Sequence, residues 1–383
     1  MSLRVTPFII ITAAATFSGV QAQTEYTLDG TPTGLEEEIR WHTNRARFDS
    51  AAENASRGTA YNDVPATTRP LAPHQSLNTS ARRHSTDMAT RNIFQHETIP
   101  GSAYYDPTTQ PDPGSRMLAE GYSWNQYGEN ITAGTNRNTG EIAYLSWWNS
   151  TGHRVNFMDT DYREIGNGHA FNAGSTYRNY LTMNLGRSGN SRFFTDTVFQ
   201  DANANGKFEA TEGKSGMEIR LLVNGAAFAH FDRSSTAGSF AIPIQTIAGG
   251  ASVAVSLFNT GASAATLTIP RSYLEHETIT LAAGARRAIG TFVTSSTVQN
   301  FGFRNLTRAL VIPTLTLTRQ GGNNLITWPS ASQHSYTLQF ATRLPSWQTL
   351  TPTPLPGTGN VIQHTHPGAS AHPSAFYRLV ITN

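Results

Sequence analysis

The sequence predicts an α+β amino-terminal domain followed by two all-β sandwich modules. Three observations carry that prediction. Up to about Gly189 the apolar residues recur at helical spacing between cap signals. Beyond it they fall in short β-prone runs separated by turn residues, and a length of 383 residues asks for two or three domains. The shifts in pattern set the boundaries at 1–22 for a leader, 23–190 for the α+β domain, 191–302 for the first β module and 303–383 for the second.

The leader has one charge at Arg4, an apolar centre from Pro7 to Val20 and Val20-Gln21-Ala22 before Gln23. This is the form of a secretory signal peptide, and its apolar run is too short to span a bilayer. No later segment is apolar for long enough to cross, so the expected location is secreted or extracellular, or else periplasmic or at the cell surface. The chain has no cysteine, which excludes thiol catalysis and Cys-ligated zinc. Residues 23–190 hold 14 Lys+Arg against 18 Asp+Glu and residues 191–383 hold 13 against 8, with no basic run of the kind that tracks phosphates. No nucleic-acid partner is expected.

In chain order, Thr33 with Glu36 three residues later is a capping box, followed by Leu35, Ile39, His42 and Ala46 on one face. A second helix follows Pro73, with Leu77, Ala81, His84 and Met88 on one stripe, which makes His84 a core or supporting histidine. A third starts near Thr139 and carries Ile142, Leu145 and Trp148. Residues 101–115 read as a surface loop, and Tyr180 to Leu185 as a strand.

The window from Trp124 to Asn156 holds Gly128-Glu129-Asn130 and Gly152-His153-Arg154. A Glu or a His beside a Gly is on its own a turn or cap residue; two of them in one window suggest polar groups presented in a cleft. His96 lies past the end of the second helix, where a side chain can turn into the same cleft.

Four ordered blocks, His84–His96, Gly128–Ile131, Glu141–Asn156 and Glu164–Gly168, resemble the bacterial form of the CAP superfamily of secreted cysteine-rich and pathogenesis-related proteins, over roughly residues 35 to 187. The resemblance implies an α-β-α sandwich, with His96 and His153 as cleft histidines and Glu129 as the first cleft glutamate. The second glutamate of most eukaryotic members is replaced by Ser150, so the tetrad is incomplete. Two imidazoles, one carboxylate and an open position suit Zn2+. The reading drawn from this is a non-enzymatic extracellular binding module whose cleft of His96, Glu129, Ser150 and His153 holds a divalent metal or a small ligand, with lipid, sterol or surface glycan as the partner classes. A second reading is a metal-dependent peptidase or esterase with Glu129 as general base on a metal-bound water and His96 and His153 holding the metal. A third places function in cell-surface adhesion by the β modules, and a fourth has His96, Glu129 and His153 merely stitching loops together.

Past Gly189, Phe193 to Phe199 is a strand running into DANANGKFEATE, an ungapped D-x-N-x-N-G-x5-E. Asp201, Asn203, Asn205, the carbonyl of Lys207 and Glu212 are at the spacing that wraps Ca2+; an Asx-rich turn without metal is the alternative. The strand context resembles Cna-B and SdrD-B-like repeats. Seven β-prone runs between Met217 and Val293 complete this module. In the last module the order Trp328-Pro329, Tyr336 to Gln339, Ser346-Trp347 and Phe376 to Leu379 resembles fibronectin type III-like modules, with Trp328 and Trp347 expected in its core. His364, His366 and His372 are too dispersed to read as a metal site.

Overall fold

The computed structural model describes residues 24–25, 31–297, 299–308, 313–330, 334–344, 346–358, 360–372 and 374–382; the expected leader at 1–22 lies outside them. The chain divides into two compact units, one running through Arg308 and the other comprising the segment from Ala309 onward. Among the described residues no helix is long and apolar enough to cross a membrane.

The first unit opens with a short strand, β1 (Thr24–Glu25), and then builds a layered α+β region. Helices α1 (Gly34–Phe48) and α2 (Ser50–Arg57) are followed by β2 (Ala72–Pro73), α3 (Gln75–Arg91), α4 (Pro113–Ala119), β3 (Gln126–Gly134), α5 (Gly140–Trp148), α6 (Thr151–Met158), β4 (Glu164–Phe171) and β5 (Asn179–Arg187). The expected capping box forms: Thr33 Oγ1 accepts from Glu36 N at 3.3 Å and Glu36 Oε2 accepts from Thr33 N at 2.7 Å. The sheet runs β2-β4-β5-β3, antiparallel except for the β2-β4 pair. Along β5 the pleat sends Leu181, Met183 and Leu185 into a core with Ile39, Tyr144, Trp147, Trp148 and Phe157 of α1, α5 and α6. The alternate residues face α3, where Ser85 Oγ donates to Thr182 Oγ1 at 2.9 Å.

The helix α3 can lie against the sheet because β4 carries glycine at its contact points. A Cβ at Gly166 would sit 2.2 Å from Asn78 N, and one at Gly168 would sit 2.2 Å from Arg82 N. This is the physical content of the Glu164–Gly168 block: two strand glycines admit a helix backbone. Gly168→Ala is therefore expected to destabilise the unit by about 1–3 kcal/mol, seen as a lower urea midpoint. An unchanged midpoint would mean that α3 can retreat without loss.

The same unit continues through β6 (Phe193–Thr197), β7 (Met217–Val223), β8 (Ala226–Arg233), β9 (Ser239–Pro243), β10 (Ser252–Asn259), β11 (Ala265–Pro270), β12 (His276–Leu281), β13 (Arg286–Val293) and β14 (Thr307–Arg308). They form a six-stranded sheet, β1-β8-β7-β10-β13-β14, and the pairs β6-β9 and β11-β12. Both the sheet and the two pairs contribute to one core that includes Phe194, Ile219, Ile242, Val255, Leu267 and Ile279.

Fully buried arginines hold distant chain segments together. Arg40 of α1 donates to Leu71 O at 3.0 Å, Asp196 O at 2.9 Å and Thr197 Oγ1 at 3.1 Å, while pairing with the buried Glu37. Arg47 donates to Arg69 O and Phe157 O at 2.7 Å, and Arg154 to Asp63 Oδ1 at 2.8 Å. The α+β region and the strands after Gly189 thus share buried polar contacts. Asn300 adds two more, donating to Pro70 O at 2.9 Å and Arg163 O at 2.7 Å.

The second unit comprises β15 (Thr316–Gln320), β16 (Asn323–Pro329), β17 (Ser335–Ala341), β18 (Gln348–Thr349), β19 (Leu355–Pro356), β20 (Val361–His366) and β21 (Phe376–Thr382). Its sheets run β15-β16-β20 and β18-β17-β19, with β21 also on β17. Ile326, Trp328, Tyr336 and Leu338 form the core. Trp347 is not in it: the indole is half-buried under the Arg378 guanidinium, 4.3 Å from its ring centre.

Candidate functional site

Glu129 stands on β3, opposite Asn184 of β5, and is the centre of the cleft. Its carboxylate is almost wholly buried, which demands a partner for each oxygen. Oε1 lies 2.9 Å from His96 Nδ1, and Oε2 accepts from Arg116 Nη2 at 2.8 Å. Asn184, in the amide orientation that satisfies both of its ends, donates to Oε2 at 3.2 Å and accepts from Ser80 Oγ and Ala81 N. Arg116 belongs to α4, which starts at the Asp112 cap with Pro113 in its first turn. It is fully buried and also donates to Thr98 Oγ1 at 3.1 Å.

His84 sits below, on the buried stripe of α3, with Nε2 3.0 Å from Gln95 O; burial pulls its pKa down to about 4. Burial pushes Glu129 up, but His84, the His96 hydrogen bond and Arg116 outweigh it and hold the carboxyl below its ordinary range. The Glu129 hydrogen bond raises His96, whose side chain is 47% exposed. His96 bound to Glu129 therefore favours the imidazolium below an unfolded pKa of about 6.5, and this contribution to stability is lost as the pH rises through the raised folded value. An NMR titration should place His96 above the free-imidazole value in wild type and return it there in Glu129→Gln.

His153, in the first turn of α6, is half-buried. Its Nδ1 is 2.8 Å from Ser150 Oγ, and burial, then His96, lowers its pKa. Ser150 is the N-cap residue of α6 but makes no cap hydrogen bond, its hydroxyl being turned to His153. Asn130 and Asn156 tie β3 to α6, Asn130 Nδ2 donating to His153 O at 3.0 Å and Asn156 Nδ2 to Asn130 Oδ1 at 2.9 Å.

Residues 43–185 match the family model described as the cysteine-rich secretory protein family, CAP. The amino-terminal region is a CAP domain. The uncharacterized protein YkwD of Bacillus subtilis (strain 168) is 34% identical over 101 residues, which are 26% of this chain and 35% of that protein, so the match spans about a third of the curated relative. Among solved structures, an extracellular protein containing an SCP domain from Bacillus anthracis str. Ames is similar, with 26% identity over 40% of this chain and 41% of that one at a TM-score of 0.28. An outer surface protein from Borrelia burgdorferi aligns over 43% of this chain and 100% of its own, with 13% identity and a TM-score of 0.28. A CAP domain places the protein outside the cytoplasm, secreted or at the cell surface.

The metal expectations for this domain and its neighbour are not met. Among the described residues no group of three or more His, Cys, Asp or Glu side chains could hold a metal ion. The CAP cleft does bring His96 to Glu129, but Arg116 supplies the positive charge that Zn2+ would have brought and Asn184 shares the same oxygen, while His153 has its Nδ1 on Ser150 and makes no hydrogen bond to Glu129. The reading of His96, Glu129 and His153 as a metal-holding cleft, and with it the metal-dependent hydrolase, is overturned.

The Ca2+ loop fails for a related reason. Asp201 Oδ2 accepts from Gly206 N at 2.8 Å and its Oδ1 from Asn205 N at 3.0 Å; Asn203 Oδ1 also accepts from Asn205 N, and Asn205 Oδ1 from Lys207 N. Glu212 spends one oxygen on Ala202 N and the other on Glu209 N. The oxygens expected to face an ion instead cap the loop's own N–H groups, and Lys207 Nζ reaches Glu141 Oε1 of the CAP domain at 2.8 Å. Neither Zn2+ nor Ca2+ at about 1 mM is expected to raise the melting temperature of the chain, nor a chelator to lower it. A metal-dependent shift in a thermal melt would reverse this correction.

Proposed function

We propose that this is a non-catalytic extracellular protein that works by recognition, with His96, Ser150 and His153 at the rim of the CAP cleft as contact groups and Glu129 as their buried anchor. The observation that carries the reading is the state of Glu129. Both of its oxygens are engaged by the protein's own groups, His96 on one and Arg116 and Asn184 on the other, which supports a buried anchor rather than a free general base. The polar rim groups favour a hydrogen-bonding partner such as a surface glycan over an apolar lipid or sterol. In this reading the β regions are sandwich modules, of Cna-B-like and fibronectin type III-like kind, that carry the CAP domain.

The test is a comparison of the full chain with Glu129→Gln and His153→Ala on a panel of ester and peptide substrates. Background rates are expected for all three. Turnover by the wild type that Glu129→Gln abolishes, with the fold retained, would sink the non-catalytic reading.

A further inference from the structure

The last acidic side chain in the sequence is Glu277; the 106 residues that follow contain neither Asp nor Glu. The second unit, from Ala309 onward, therefore has only Arg319, Arg343 and Arg378 as fixed charges, with His334, His364, His366 and His372 beside them. The segment has no Asp, Glu, Cys or Lys side chain, so histidine is its one side-chain type that can gain a proton near neutral pH.

They are built into its packing. His366 is buried at the end of β20, its ring on Phe340 at 4.4 Å and stacked with His372 at 6.3 Å. Its Nδ1 is 2.8 Å from the Tyr377 hydroxyl, which accepts from Asn324 Nδ2 at 2.9 Å and so has its proton to give to the imidazole. His364 lies two residues back, on the same face of the strand. His334 is buried edge-on to Tyr336, and among the described residues neither of its ring nitrogens has a partner.

The surrounding elements offer no acidic side chain. β16 brings Asn324 and Trp328, β17 brings Tyr336 and Phe340, and β21 brings Tyr377 together with Arg378, which is held by Gln339 at 2.8 Å and Trp347; Arg319 and Arg343 complete the charges. Burial lowers His364, and burial with His372 and His364 lowers His366.

We propose that the second unit is an acid-opened module: uptake of protons by His364 and His366, the latter packed between Phe340, His372 and Tyr377, breaks its packing and exposes the Trp328, Tyr336 and Leu338 core. The neutral rings favour the fold, so stability is complete above the unfolded pKa of about 6.5 and falls as the pH drops below it.

The experiment is pulsed hydrogen exchange with mass spectrometry on the full chain, equilibrated in urea near pH 7.5, 5.5 and 3.5 and labelled at one common pH. Peptides from 313–382 should lose about 1 M in urea midpoint in all, beginning as the pH passes below about 6.5 and continuing until it has passed the lowered folded values of His364 and His366. The first unit holds buried His42 and His84 and partly buried His74 of its own and also carboxylates, so its midpoint should keep falling to the lowest pH. His364→Gln with His372→Gln, folded at pH 7.5, should remove a large part of the loss in 313–382, and His366→Gln serves as the second variant. A midpoint for 313–382 that holds from pH 7.5 to 3.5, or variants that drop as the wild type does, would each overturn the proposal.

Discussion

Arg116→Met should lower the stability of the first unit by about 3–5 kcal/mol, the cost of leaving a buried carboxylate without its charged partner. Glu129 is pinned between a fully buried arginine and a half-exposed histidine. With Arg116 removed, the exposed His96 alone cannot offset the desolvation of Glu129, whose pKa must climb towards neutrality. The double variant Arg116→Met, Glu129→Gln removes the charge as well as its partner and should recover most of the loss. The check is a double-mutant cycle on urea midpoints. Additive single-variant losses would show that the two side chains do not act as a pair, and that the cleft is held by its hydrogen-bonded asparagines instead.

A loss of similar size, about 3–5 kcal/mol, is expected for Arg40→Met. The guanidinium serves Glu37, Leu71 O, Asp196 O and Thr197 Oγ1 with no access to water, so truncation leaves several acceptors and one carboxylate unsatisfied at once. Because these partners lie both in the CAP domain and in the strand β6 after it, the effect should reach both. Thermal unfolding of the variant should remain a single transition for residues up to 308, displaced to lower temperature. Two separated transitions, with the strands after 190 melting at the wild-type temperature, would show that the contacts across residue 190 are incidental.

The helices were legible where their caps and stripes were strong. Thr33 and Glu36 announced α1, and Leu77, Ala81, His84 and Met88 are all buried as one stripe of α3. The helix α4 was missed because it lies at the end of a stretch rich in Pro and Gly, although Asp112 before Pro113 is a helix start by its chemistry. Missing α4 meant missing Arg116, and so the charge that answers Glu129. Composition gives no signal for that pairing, since an arginine meets a glutamate thirteen residues away only once helix and strand have been packed. The loop at 201–212 illustrates the converse. Asp and Asn at alternate positions before a Gly wrap a cation in one setting and cap their own backbone in another, and spacing is common to both. Deciding between them needs the direction of each oxygen, which is a property of the fold.

The buried arginines have a practical meaning for handling this protein. In a chain without cysteine, Arg40, Arg47 and Arg154 join segments tens of residues apart by charge-assisted hydrogen bonds, the task that covalent bridges perform in small exported proteins. Such ties form on folding, need no oxidant and are indifferent to thiols. The protein should therefore reach the same state when made in a reducing cytosol as when exported, and dithiothreitol should leave its melting curve where it was.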